Sequence, residues 1–372
     1  MQIEPFRLER YFSEYEFAVP HLLCGSDCES FSVEELLQLE EGARESFANL
    51  RLGYTESRGD PQLRAEIASL YEHITAADIL VHAGAEEAVF NFMNVILEPG
   101  QQIFVHAPCY QSLGEVGRAI GAETIAWKAD PEADWEPNLQ FLRARASSRT
   151  RAVVVNFPHN PTGYLPRRDF LDELSQLSDE HGFLVFSDEV YRGLEYDPAD
   201  RLPSFCDLNE RSVSIGVMSK TYGLAGLRIG WIATRNRALL EQLAAFKDYT
   251  TICSSAPSEF LSLLALRNRK RIVERNLGII RANLDRLDAF FARHPGVLAW
   301  HRPRAGTIAF PRYLGESVEQ FCEQLRQKAG VLLLPGTMYG PEYNCVRIGF
   351  GRRNLPSALQ QFERYLTGSL KV

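Results

Sequence analysis

Two uninterrupted apolar runs, RAVVVNF (151–157) and FLVFSDEV (183–190), flank the polar-apolar stretch PRRDFLDELSQLSDEHG (166–182), and this arrangement constrains the chain most. A strand that is apolar at every position must be covered on both faces, and two such strands joined by a helix-length crossover form a parallel pair. The same alternation extends in both directions. DILVHAG (78–84), QQIFVHAPCY (101–110), ETIAWKA (123–129), RSVSIGVMSK (211–220) and LRIGWIA (227–233) read as strands. DPQLRAEIASLYEHI (60–74), AEEAVFNFMNVI (85–96), LGEVGRAIG (113–121) and EPNLQFLRARA (136–146) read as helices, the first with Asp60 as N-cap and Pro61 in its first turn. The expected fold class is therefore α/β, a mostly parallel central sheet with helices on both faces.

The texture changes after a long helical tract from Pro257 to about His294. VLAWH, GTIAFPR, VLLLP and NCVRIGF are shorter strand candidates, set among the helices SVEQFCEQLRQKAG and ALQQFERYL. With 372 residues the chain is too long for one small core. We expect a large domain over 41–280 and a smaller α+β domain made of 1–40 and 281–372.

The net charge of -8, without a basic stripe, speaks against nucleic acid as a partner. No run approaches the roughly 18 apolar residues of a membrane span, and the first residues lack a secretory leader pattern, so a cytoplasmic protein is expected. Seven scattered cysteines fit reduced thiols. His21, Cys24 and Cys28 lack paired metal-ligand spacing, and no metal is expected. Neither GxGxxG nor GxxxxGK[ST] occurs, which counts against dinucleotide and P-loop sites.

Four segments could carry chemistry. In SKTYGLAGLRIGW, Lys220 follows a strand directly and could form a Schiff base, with Ser219 and Arg228 in reach of a phosphate; a surface lysine in a polar loop is the plain alternative. In FSDEVYRGLEY, Asp188 ends a strand, where ligands gather in open α/β sheets, and could pair with a protonated ring nitrogen while Tyr191 donates to a phenolic oxygen. In NFPHNPTGYLP, prolines fix the loop around the Asn160 amide. In HAGAEEAVF, a helix starting near Ala85 would offer free N–H groups to a phosphate.

In this order, the four segments resemble the signature blocks of fold-type I, class I/II aminotransferases, over most of the chain from LGYTESRGDPQLR to NCVRIGFG. The resemblance implies pyridoxal 5'-phosphate as cofactor, amino acid and 2-oxo acid substrates, and a homodimer with shared active sites. Carried over by residue, Lys220 would hold the cofactor and move the proton between Cα and C4'. Asp188 would balance the pyridinium, and Asn160 and Tyr191 would bond the ring's 3'-oxygen. Tyr110, in APCY, would stack on the ring. Backbone N–H groups of Ala85 and Glu86, together with Ser219 and Arg228, would bind the phosphate, joined by Tyr54 from the partner subunit. Arg347, in CVRIGF, would clamp the substrate α-carboxylate by its bidentate fork. The N-terminal segment ERYFSEYEFAVPHLLCGSDCES is the least typical part; its Asp27 would favour a basic amino donor. This opening and the chain length resemble capreomycidine synthase and related enzymes acting on arginine derivatives, which share the cofactor machinery but carry out elimination, cyclisation or oxidation.

Overall fold

A computed structural model describes residues 2–368. Seven strands form one sheet in the order Ile79–His82, Gly230–Ala233, Val213–Val217, Leu184–Asp188, Thr150–Asn156, Gln102–Ala107, Glu123–Lys128. Gly230–Ala233 is antiparallel to both its neighbours, and all other pairs are parallel. The continuous apolar runs are explained by alternation across two buried faces. Val105, Val154, Phe186 and Ile215 pack on one side with the helix Ala85–Ile96, while Phe104, Val153, Val155 and Val185 pack on the other with the helix Arg168–His181. A doubly covered, mostly parallel α/β sheet is thus observed as expected.

The expected helix at Asp60 forms with its predicted cap, since the Asp60 carboxylate accepts from the N–H groups of Gln62 (2.8 Å) and Leu63 (2.9 Å). It ends at Ala68, six residues short of Ile74. Beyond it the N–H groups of Glu72 and His73 donate to Asp207 Oδ1 at 3.0 and 2.7 Å, a distant partner that no local pattern reveals.

The helical tract after Pro257 divides at Asn268 into Ala256–Arg267 and a 25-residue helix, Arg269–Arg293. The longer helix ties the sheet to the C-terminal region. Its Asn276 donates to the Thr221 carbonyl at 2.9 Å, and its Asn283 donates to the carbonyls of Phe350 and Arg352 at 2.9 and 2.7 Å.

Both ends of the chain meet in a second assembly. Ile308–Ala309, Val346–Gly349 and Leu334–Pro335 form a small antiparallel sheet, and His21–Leu22 pairs in parallel with Val331–Leu332. The strands expected here exist but run for only two to four residues. Leu23, Val331, Phe350 and Phe362 share a core with Tyr191 and Val217 from the end of the large sheet. Among the described residues, no helix is long and apolar enough to cross a membrane.

Candidate active site

The parallel strands deliver their C-terminal ends to one place, as open α/β sheets do around ligands. Asp188 and Asn156 are the last residues of their strands; Tyr110 and Lys220 each follow a strand by three residues. Together with the N-terminal segment they enclose a cavity of about 830 Å³. Eleven of the twelve residues singled out from the sequence line it: Asp27, Ala85, Glu86, Tyr110, Asn160, Asp188, Tyr191, Ser219, Lys220, Arg228 and Arg347. Tyr54 does not; its side chain stands 92% exposed. A separate cavity of about 520 Å³ beyond Arg192 and Thr221 is lined by none of the twelve.

Lys220 Nζ donates to Ser26 Oγ at 2.8 Å. Burial is the main influence on its amine and lowers its pKa, with Arg347 acting in the same direction and Asp27, Glu9 and Asp188 opposing. A lysine eased toward its neutral form is a better nucleophile. Asp188 responds to burial in the opposite sense. Its carboxyl is pushed up to about 7, although the Val190 N–H donates to its Oδ1 at 3.1 Å. Desolvation disfavours a carboxylate that has no cation against it. The Tyr191 hydroxyl is fully buried beside Ser26 without a well-formed hydrogen bond. A buried hydroxyl in that state lacks a partner.

Arg347 is 1% exposed and touches only neutral acceptors. It donates to the Cys24 carbonyl at 2.9 and 3.2 Å, to Tyr339 OH at 2.8 Å and to Asn160 Oδ1 at 3.4 Å. Among the described residues no carboxylate lies within ion-pair distance of it. A buried guanidinium left this way calls for an anionic ligand. Asn160 is fixed from both sides: its N–H donates to Asn156 Oδ1 at 2.7 Å, and its Oδ1 accepts from Tyr339 OH at 3.2 Å. Its Nδ2 donor remains available.

Close backbone approach shapes the part of the cavity beside the helix Ala85–Ile96. Gly84, at φ +88°, precedes the helix Ala85–Ile96, whose first N–H groups have no partner inside the helix. A Cβ on Gly84 would meet Arg228 Nη2 at 2.6 Å, and one on Gly230 would meet the Gly84 carbonyl carbon at 2.7 Å. Arg228 itself adopts a left-handed backbone (φ +52°). These contacts bring a guanidinium against a helix N-terminus, a ready cradle for a phosphate.

Three placements qualify the sequence reading. The Tyr110 hydroxyl donates to Glu9 Oε1 at 2.6 Å, so the N-terminal helix Arg7–Tyr15 engages this ring. The Glu86 side chain accepts from Ser112 at 3.1 Å and is pushed up to about 7 by burial. The Asp27 carboxylate is held by Arg352 through two bonds of 2.9 Å, so it is no free anion awaiting a basic substrate. Glu9, Glu16, Asn156, Tyr339 and Arg352 join the site without having been expected from the sequence. Of these, only Asn156 had a local signal, as the polar terminus of an apolar strand.

An amine, a buried carboxyl, a guanidinium without an anion and a helix N-terminus beside a second arginine thus share one cavity. The chain belongs to the aminotransferase class I and II family, whose model matches residues 27–359. It is 32% identical to capreomycidine synthase of Streptomyces vinaceus over 347 residues, 92% of this chain and 88% of that protein. In structure it is similar to a PLP-dependent aminotransferase from Streptococcus suis, with TM-score 0.93, 29% identity and all of both chains covered. It also resembles the PLP-dependent cyclase OrfR, with TM-score 0.89 and 26% identity over 99% of this chain and 98% of that one. The fold is therefore fold-type I, and pyridoxal 5'-phosphate is the cofactor. The residues present fit it: the orphaned Tyr191 hydroxyl, the desolvated Asp188 and the glycine-lined cradle each lack what this molecule carries, a ring oxygen, a ring N–H and a phosphate.

Proposed function

We propose that the protein is an aminotransferase, moving an amino group from an amino acid to a 2-oxo acid. The observation that carries this reading is the buried Arg347, without a carboxylate partner, in the same cavity as the Lys220 amine. Arg347 would clamp the α-carboxylate, and with Asn160 beside it would orient the Cα–H bond toward Lys220. Lys220 would anchor the cofactor and then, once freed, take the Cα proton and return it to the cofactor's C4' carbon. When bound, pyridoxal phosphate supplies a carbonyl that condenses with amines and a ring that accepts the electron pair left at Cα. Asp188 would keep the ring nitrogen protonated, Tyr191 and Asn160 would hold the ring oxygen, and Tyr110 would cover the ring face. Ser219, Arg228 and the N–H groups of Ala85 and Glu86 would bind the phosphate. The same reading divides the chain into a cofactor domain, 41–280, and a smaller domain, 1–40 with 281–372.

A homodimer completes this proposal, with Tyr54 reaching the partner's phosphate. Leu52, Tyr54 and Tyr249 are 79%, 92% and 91% exposed. Their segments are tied together by Thr55 donating to the Ser254 carbonyl at 3.1 Å and Lys247 to the Ser57 carbonyl at 2.8 Å. Mixing inactive Tyr54→Ala and Lys220→Ala chains should restore part of the activity; no recovery would rule out sites shared in this way.

Titrating the purified enzyme with single amino acids tests the main reading. Loss of the visible cofactor band with a stoichiometric 2-oxo acid supports it. A cyclised, dehydrated or oxidised product from arginine or hydroxyarginine would instead support a synthase or lyase, the reading favoured by the likeness to capreomycidine synthase and OrfR. Both reactions begin with the same proton removal, so the residues that hold the cofactor do not separate them.

A further inference from the structure

The N-terminal segment brings three carboxylates to the cavity wall, Glu9, Glu16 and Asp27, against one guanidinium beside them, Arg352. Two of the carboxylates are engaged. Each Asp27 oxygen accepts a 2.9 Å bond from Arg352, and Glu9 Oε1 accepts the Tyr110 hydroxyl at 2.6 Å. Glu16 differs. It caps the C-terminus of the helix Arg7–Tyr15, and its nearest cation, Arg352 Nη2, stands at 3.8 Å, too far for a hydrogen bond. Among the described residues its carboxylate accepts no hydrogen bond. Burial raises its pKa, as do Asp27 and Glu9, with Arg352 and Lys220 opposing.

A half-buried carboxylate with spare acceptor capacity, in an acidic surround, attracts a cation and repels a second carboxylate. Asp27 cannot serve as well, because releasing it would strand Arg352 without its bidentate partner. Arg347, which lines the same cavity, lacks an anion. An amino acid with a carboxylate at one end and a cation at the other would satisfy both.

We propose that Glu16 is the specificity-determining residue of this site, receiving the distal amine or guanidine of a basic amino acid whose α-carboxylate sits on Arg347. This rests on the proposed function for the substrate's orientation and adds the substrate class.

Calorimetry on the enzyme as purified, with its cofactor, separates the two ideas because it needs no turnover. The ligands are 5-guanidinopentanoate and hexanoate, which lack the reacting amine. The guanidino acid should bind the wild type at least about ten-fold more tightly, the scale of one hydrogen bond to a charged group. Glu16→Gln should remove most of that preference, and Glu16→Asp should leave an intermediate one. Equal binding of the two acids to the wild type, which requires no variant to fold, would overturn the proposal, as would a preference that survives in Glu16→Gln. A wild-type preference that Glu16→Gln removes, in an enzyme that makes no 2-oxo acid from any donor, would sink the aminotransferase reading and leave Glu16 in place.

Discussion

The wall of the cavity built around the large sheet, here its floor, and the wall built by the N-terminal segment with Arg352, here its mouth, hold charge in different ways. At the floor, Asp188 ends a strand of the large sheet and Tyr191 follows it, with Arg347 reaching Asn160 from the small sheet, and all three side chains are under-satisfied: a carboxyl pushed up to about 7, an orphaned hydroxyl at Tyr191, a guanidinium at Arg347 without an anion. At the mouth, Asp27 and Arg352 come from segments 325 residues apart and neutralise each other, as Glu9 and Tyr110 are joined across 101 residues. On the proposed function, a floor that leaves its groups waiting would be preorganised for a cofactor and a carboxylate. A mouth that satisfies most of its own groups is built to discriminate. The contrast predicts that floor substitutions damage chemistry with every donor, whereas mouth substitutions alter which donor is used.

The largest effect expected is at Lys220. Replacing it with Ala should slow the single-turnover amino-transfer step at least about 10³-fold, the upper range for a positioned proton-transfer group. A modest loss, measured by the rate of cofactor band decay, would mean that another group moves the Cα proton. Arg347→Ala comes next. Losing a buried charged contact costs on the order of 2–5 kcal/mol, so kcat/KM should fall by about 10²-fold or more for neutral and basic donors alike. Arg347→Lys should not restore it, since a point charge cannot reproduce the fork. If only basic donors suffered, the assignment of floor and mouth would be reversed.

Gly230→Ala is the next smaller test, and it addresses the cradle without touching a charge. Its new Cβ would lie 2.7–2.8 Å from Gly84 and Ala85 backbone atoms, so the helix N-terminus must shift away from the strand. Overpacking of this kind costs about 1–3 kcal/mol. Cofactor retention on dialysis should drop roughly ten-fold, and unchanged retention would argue that the phosphate sits elsewhere.

The same division explains what the sequence made legible. Floor residues lie in short contiguous blocks, SKTYG, SDEVY and NPTG, each attached to a strand whose apolar run announces it. Five of the eleven proposed residues that line the cavity, Asn160, Asp188, Tyr191, Ser219 and Lys220, come from these three blocks. The mouth had no such carrier. Arg352 stands five residues after Arg347, with nothing local to say that it pairs with Asp27, and that pairing weakened the reading of Asp27 as a free acid. Glu16 ends a nine-residue helix whose docking on Leu333, through Tyr11 at 2.9 Å, is wholly tertiary. The early end of the helix after Asp60 has the same cause, a distant Asp207 taking the N–H groups of Glu72 and His73.

The smallest expected effect is also the most direct measure of how unsatisfied the floor is. In the cofactor-free protein the Asp188 carboxyl is raised from its ordinary 3.8 to about 7. The folded chain then holds a proton that the unfolded chain has already released, so stability falls as pH rises through this interval and the loss is complete above about 7. Glu86, also raised to about 7, acts with the same sign. His82, lowered to about 4, acts oppositely, but only below the ordinary histidine value of 6.5. The difference between wild-type and Asp188→Asn curves isolates one group from the rest. Between about pH 6 and pH 8 the wild type should lose roughly 1 kcal/mol more than the variant in denaturant titrations. Saturating the wild type with pyridoxal phosphate should flatten its curve, because a ring N–H beside Asp188, as proposed, would favour the charged carboxylate at every pH in the window. Parallel curves for the cofactor-free wild type and the variant would mean that Asp188 is already satisfied within the chain, and the floor would then be no more poised than the mouth.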